Sequence, residues 1–366
     1  VSNWRARWIA WRNARISDPR FQRFAADFPL TRAVAHSRAR GLFDVVAGFV
    51  YSQVLTACIE LDLLNALKAG PREVADLATA LNVPPSEMAR LLRAASALDL
   101  VEPIGEQYAL GAQGAALLGN SGLAEMIRHH DRLYADLQDP VALLRRGRGE
   151  HLACYWPYAT AQDPENTGEL EVSAYSALMA ATQPAVAADI LAAYPMRGHR
   201  TIMDVGGGQG AFLSAVASRW SHLNLHLFDL PAVVERARKV LAPLASRTTF
   251  SGGSFLSDSL PPGADLITLV RILHDHDDDG LRKILSSARA ALAPGGRLLI
   301  AEPMSDARGA DRVGDAYFGL YLLAMGRGQA RTPSQVAGFV AQSGFSRSRM
   351  LRVRTPGLLR VMIAEP

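Results

Sequence analysis

The residues best suited to chemistry are Asp204, Gly206 and Gly208 in TIMDVGGGQG (201–210), Asp229 in LHLFDL, His274 in VRILHDHDD and Glu302 in LLIAEP. An apolar run rises into Asp204, passes a glycine cluster and leaves through AFLSAV, which predicts a buried strand, a tight turn and a helix start. Glycine lets backbone N–H groups approach a ligand because no Cβ stands in the way. Two ligand classes suit such a turn. Gly206, Gly208 and Ala211 satisfy the dinucleotide spacing G-x-G-x-x-A, with a pyrophosphate on the helix N-terminus. Asp204, ahead of the first glycine, instead suits a cationic or hydrogen-bond-donating ligand. A glycine turn used only for packing is the plain alternative.

The elements around these residues repeat as strand and helix from Arg200 onward, the pattern of a doubly wound α/β sheet. Asp229 lies 19 residues past Gly210, where such a sheet places a carboxylate on the ribose hydroxyls of an adenosine. His274 follows the strand ADLITLV, at the carboxyl end where ligands sit in this architecture; a capping or core histidine is the alternative. Asp275, Asp277 and Asp279 imitate half of an EF-hand loop. Position twelve is Ser286 and no helix-loop-helix frames it, so no metal is expected, and capping of the next helix by Asp277–Asp279 is the better reading. His129 and His130 are adjacent and make a poor metal pair. Tyr155, Trp156 and Tyr158 either line a pocket or fill a gap.

Upstream, a long apolar helical run stops at Gly70-Pro71. Helix, turn at Asn82–Pro85, helix and a short β-like pair (LVEPIG, QYALG) then follow, a winged helix-turn-helix pattern. A DNA-binding regulator would read bases with SEMARLLRAASAL. Residues 71–120, however, set Arg72, Arg90 and Arg93 against six acidic residues, the wrong sign for a phosphate backbone. Dimerisation is the better use of this fold, and no nucleic-acid partner is expected.

The 366 residues suffice for two domains, and 49% hydrophobic with 20% charged residues is ordinary for a globular protein. No run of eighteen consecutive apolar residues and no secretory signal is visible, and Cys58 and Cys154 allow at most one bridge, so a reducing cytoplasm is expected. The net charge of +4 hides an arm, residues 1–40, with nine arginines against Asp18 and Asp27. Trp4, Trp8 and Trp11 share one helical face there. Residues 1–20 thus suit peripheral contact with an anionic membrane, or packing against the chain's own body or a partner subunit. Expected boundaries are an arm (1–40), a mainly helical winged-helix dimerisation domain (41–165) and a Rossmann-like domain (166–366).

Over residues 41–366, DVGGGQG (204–210), HLFDLP (226–231), GGSF (252–255), VRILHDHDD (270–278) and APGGRLLIAEPM (293–304) together resemble the class I S-adenosylmethionine-dependent O-methyltransferases with a winged-helix dimerisation domain. That resemblance implies a homodimer using S-adenosylmethionine and no metal. It implies His274 as catalytic base and Glu302 as the acid that orients it, while the second acid of the family's clamp falls at Ala330. It implies cofactor contacts from Asp204, Gly206, Gly208, Asp229, Leu230 and Arg271, from Met179 and Gln183 on a helix closing over the sulfonium, and from Ser254 and Phe255 where the family carries an acid. Tyr317, Phe318, Tyr321 and Met325 on an apolar helix would line the acceptor pocket, or be ordinary core. FQRFAADFPLTR, AGFVYSQVLTAC and GDAYFGLYLLAMGRGQART (314–332) are similar, more narrowly, to the carotenoid hydroxyl methyltransferases of purple photosynthetic bacteria. These methylate the C1 tertiary hydroxyl of acyclic carotenoids such as demethylspheroidene and hydroxyneurosporene. A sister branch methylates a bacteriochlorophyllide ring carbon.

Overall fold

The computed structural model describes residues 3–155, 182–305, 312–354 and 359–366. Packing divides the chain into Val1–Gly119 and Asn120–Pro366. The expected boundary at 165/166 lies outside the described residues. The division comes earlier because the helices Ser121–Leu137, Pro140–Arg146 and Leu152–Tyr155 belong to the second unit. Leu133, Leu143 and Leu152 share a core there with Tyr321, Leu322 and Met325 of the helix Gly319–Met325.

In the first unit, helices Asn3–Ile16 and Pro19–Asp27 lead into the long helix Arg32–Glu60. Helices Leu63–Ala66, Val74–Ala80, Pro85–Ala97 and Ala112–Leu118 and a three-stranded antiparallel sheet follow. The sheet is built of β1 (Arg72–Glu73), β2 (Val101–Ile104) and β3 (Gln107–Leu110), in the order β1-β3-β2. This is the winged-helix pattern, closed around Cys58, Leu63, Leu77, Met88 and Leu92. The absence of a long apolar run does not mean the absence of a long apolar helix. Arg32–Glu60 contains an eighteen-residue window of mean hydropathy 1.7, enough to cross a bilayer by length and composition alone. Its last turns pack into the winged-helix core, whereas Leu42, Phe43, Val45, Val46 and Phe49 lie exposed in the single chain. Cys58 is buried, Cys154 is exposed, and both are free.

The second unit is built on seven strands: β4 (Thr201–Val205), β5 (Asn224–Asp229), β6 (Thr248–Gly252), β7 (Ala264–Val270), β8 (Leu292–Glu302), β9 (Arg347–Leu351) and β10 (Arg360–Glu365). They lie in the order β6-β5-β4-β7-β8-β10-β9. β4 through β8 run parallel, and β10 enters antiparallel to both β8 and β9. The parallel strands read as near-continuous apolar runs because helices cover both faces. Chain order reverses at β4, the switch point at which open α/β sheets bind ligands.

The aspartate run after His274 is a helix cap. Asp277 is extended and its Oδ1 accepts the Gly280 N–H at 2.8 Å, opening the helix Asp278–Ala291. Loss of such a cap costs about 1 kcal/mol. Asp277→Ala should therefore lower unfolding stability by about that amount in urea melts, without loss of the folded state.

Candidate active site

Register places the acids. Asp204 pairs with Thr268 across the β4–β7 ladder, and the Thr268 hydroxyl donates to Asp204 Oδ1 at 2.6 Å. Asp204 is 2% exposed. Burial pushes its pKa up to about 7, against the pull of the Thr268 hydrogen bond and with Asp229 adding to the rise. Gly206, Gly208 and Gly210 all have positive φ, between 57° and 82°, which an L side chain adopts only under strain. A Cβ on Gly206 would come within 2.3 Å of Ile272 Cδ1, and one on Gly207 within 2.8 Å of Asp204 Oδ2. The turn is thus packed against both the strand-end acid and the segment leading to His274.

Asp229 ends β5 and holds the turn from the other side. Its Oδ2 accepts the Gly208 N–H at 2.8 Å, and its Oδ1 accepts the Leu230 N–H at 2.7 Å, opening the helix Pro231–Val240. Burial raises its pKa to about 6, opposed by these two backbone donors. Asp229 pairs with Gly252, so the GGSF loop lies alongside. In that loop the Ser254 N–H donates to Asp258 Oδ2 at 2.8 Å. Asp258, four residues on, thus caps the backbone of this loop at Ser254. Phe255 stands edge-on to His276 with ring centroids 5.4 Å apart.

The β7–β8 ladder builds the second half. Arg271 takes φ +60° and its N–H donates to Ala301 O at 2.8 Å, which turns the chain sharply beside Glu302. Glu302 then holds the whole turn. Its Oε1 accepts the N–H groups of Ile272 at 2.8 Å and Leu273 at 2.7 Å, and its Oε2 lies 2.5 Å from His274 Nδ1. His274 Nε2 faces Asp275 Oδ1 at 3.1 Å. Burial depresses the imidazole, but Asp275 and then Glu302 outweigh it, so its pKa is raised overall. Burial lifts Asp275 to about 6, opposed by His274.

The segment after Met325 closes on the same turn. The Gln329 N–H donates to His274 O at 2.8 Å, and Arg331 donates to Leu273 O at 3.1 Å, to His276 O at 2.9 Å and to Asp278 Oδ1 at 2.8 Å. Ala330, where a second acid was sought, lies between these two clamps. Arg331 is 4% exposed. The sequence presents Asp275 only as part of an EF-hand-like acidic run and gives Arg331 no role, although each stands beside a residue it does single out.

Against the imidazole, Phe318 packs edge-on to His274 with centroids 6.2 Å apart, and Tyr317, Phe318 and Tyr321 form one aromatic cluster. Tyr321 and Met325 are buried, while Tyr317 and Phe318 are half-buried, on a π-helical turn (Arg312–Phe318) running into Gly319–Met325. His129 Nε2 bonds the Tyr321 hydroxyl and His130 Nε2 the Tyr317 hydroxyl, each at 2.8 Å. Burial drops His129 to about 4 and also lowers His130. Gln183 lies on the helix 182–193, next to Thr182, whose hydroxyl accepts from Arg271 at 2.7 Å. Met179, Trp156 and Tyr158, and the Tyr155 side chain, lie outside the described residues. Among the described residues no group of three or more His, Cys, Asp or Glu could hold a metal ion.

A switch-point glycine turn, two strand-end carboxylates and a carboxylate-held imidazole define a group-transfer site on a Rossmann-like sheet. Residues 134–346 match the O-methyltransferase domain family, and residues 43–120 match the O-methyltransferase dimerisation domain. The demethylspheroidene O-methyltransferase of Cereibacter sphaeroides is 42% identical over 346 residues, covering 93% of this chain and 89% of that one. Its Rhodobacter capsulatus counterpart is 40% identical, covering 92% and 84%. Human N-acetylserotonin methyltransferase, solved in complex with S-adenosylmethionine, superposes with a TM-score of 0.74 at 25% identity, over 90% of this chain and 97% of that one. The chain belongs to the O-methyltransferase family, whose members take their methyl group from S-adenosylmethionine.

The raised pKa of Asp204 has a pH signature. A carboxyl whose folded pKa lies above its unfolded value favours folding most at low pH, and that contribution is lost as pH rises through the folded pKa. For Asp204 the window runs from about 4 to about 7. Asp204→Asn should therefore gain on wild type in unfolding free energy as pH rises from about 4 to about 7 in ligand-free urea melts.

Proposed function

We propose that this enzyme methylates the C1 tertiary hydroxyl of an acyclic carotenoid of the demethylspheroidene type, with His274 as the base. The observation that carries the acceptor class is the 40–42% identity to the two demethylspheroidene O-methyltransferases over more than nine-tenths of the chain. The aromatic wall beside His274 supports it, because Tyr317, Phe318 and Tyr321 offer ring faces and edges suited to an apolar polyene.

The residues present suit the cofactor. Asp204 and Asp229 are carboxylates held above their usual range by burial, and a bound cation would relieve the cost of charging them. The turn TIMDVGGGQGA carries no Lys or Arg for a phosphate. When bound, S-adenosylmethionine supplies an electrophilic methyl group for in-line displacement. Asp204 and the 206–208 turn would receive its amino-acid end, Asp229 its ribose hydroxyls, and Leu230, Ser254 and Phe255 its adenine. Arg271 would meet the cofactor's backbone, and Gln183 would close over its sulfonium end.

The chain's own task is alignment and proton removal. Glu302 fixes the imidazole through Nδ1, and Nε2, which faces Asp275 in the ligand-free chain, is the nitrogen that would take the proton of the acceptor hydroxyl. A tertiary alcohol is far less acidic than a phenol, so His274 takes the proton during methyl transfer instead of forming an alkoxide beforehand. The dimerisation domain makes a homodimer the working unit, and the exposed apolar face around Phe43 and Phe49 is suited to burial between two copies. With a polyene acceptor, the enzyme would work as a peripheral protein at a membrane surface.

Transfer of labelled methyl to a 1-hydroxy acyclic carotenoid, beside a bacteriochlorophyllide and a simple phenol, tests this reading. Wild type should label the carotenoid selectively. His274→Ala should keep cofactor affinity within a few-fold while turnover falls by about 100-fold or more. Selective labelling of either other acceptor would overturn the substrate class, and near-normal turnover of the variant would overturn the base.

A further inference from the structure

The N-terminal arm carries a surface that methyl transfer does not use. Trp4, Trp8 and Trp11 fall on one face of the helix Asn3–Ile16 and are 69%, 49% and 59% exposed. At helical periodicity Arg5 and Arg12 flank that face on one side and Arg7 on the other. The Arg12 guanidinium lies over the Trp8 ring at 5.1 Å and that of Arg15 over Trp11 at 5.9 Å. The next helix, Pro19–Asp27, adds exposed Phe21 and Phe24, and Phe24 stacks on Phe28 at 5.3 Å. None of the residues of that second helix is buried.

We infer that residues 3–28 form an anchor that docks the enzyme on the surface of an anionic lipid bilayer. Charge and side-chain chemistry favour this occupant. The first forty residues hold nine arginines, no lysine and only two acids. The positive charge thus surrounds large aromatic side chains that a polar partner would leave stranded. Tryptophan belongs at the headgroup level, where its ring is buried and its N–H stays wet. Arginines beside it keep their guanidinium groups on lipid phosphates while their stems cover the apolar face. A nucleic-acid duplex would engage the arginines through its phosphates and leave the exposed Trp and Phe rings without a partner. The family's dimerisation domain begins at residue 43, beyond this arm, so pairing with a second copy does not call for it. The inference does not depend on which acceptor is methylated.

Vesicle flotation of the full-length protein tests it, with vesicles of one-third phosphatidylglycerol in phosphatidylcholine and of phosphatidylcholine alone. The protein should float with the anionic vesicles only, and less as salt rises from about 0.05 to about 0.5 M. Replacing Arg5, Arg7, Arg12 and Arg15 by Gln should weaken partitioning by about 100-fold or more. Trp4→Ala, Trp8→Ala and Trp11→Ala combined should abolish flotation while the dimer mass by light scattering and the S-adenosylmethionine affinity stay unchanged. Three outcomes would overturn the proposal: no binding to anionic vesicles by wild type, undiminished binding by either variant, or a tryptophan variant that becomes monomeric, which would assign the face to a second copy.

Discussion

Everything chemical in the second unit depends on the grip of Glu302 on one turn. A carboxylate at 2% exposure would be costly alone, but each of its oxygens is engaged. One oxygen accepts two backbone N–H groups and the other meets His274 Nδ1. The carboxylate thus fixes both the backbone that carries the imidazole and the imidazole itself. Arg331 and Gln329 hold the same turn through its carbonyl oxygens, so donors and acceptors of its backbone are both tied down. An imidazole held this way has little orientational freedom left to lose on meeting a ligand.

The same division of labour runs across the switch point. On one side, Asp204 and Asp229 bracket a glycine turn whose positive φ values exclude ordinary side chains. On the other, Glu302 and Asp275 face the two nitrogens of one histidine. Three buried acids, Asp204, Asp275 and Glu302, and the half-buried Asp229 thus stand at the strand ends on the two sides of the switch point. Of these acids, Asp275 and Glu302 raise the basicity of His274 against the effect of its own burial.

Much of this was legible in the sequence. Strand-end acids and glycines announce themselves because the residue before a tight turn can only point at the crevice, and the apolar strands repeat the parallel-sheet pattern. The winged helix was equally readable from turn chemistry. What was hidden depends on contacts between distant segments. Asp275 looked like part of an acidic run, yet it faces the base; Asp277, two residues on, is only a cap. Asp258 was passed over because loop geometry, not spacing, brings it back to Ser254. His129 and His130 gave no sign of their tyrosines 192 and 187 residues away. Composition averaged over runs also concealed how apolar Arg32–Glu60 becomes once it is one continuous helix.

The central claim is that Glu302 orients His274 and, together with Asp275, raises its basicity. The most direct test is the pH dependence of kcat/KM for Glu302→Gln beside wild type, with S-adenosylmethionine affinity measured in parallel. A base must be unprotonated, so the rate rises with pH through the apparent pKa of His274. The carboxylate raises that pKa, so its loss should move the rising limb to lower pH and reduce the limiting rate, with cofactor affinity unchanged. A profile that keeps its position and height would contradict the account.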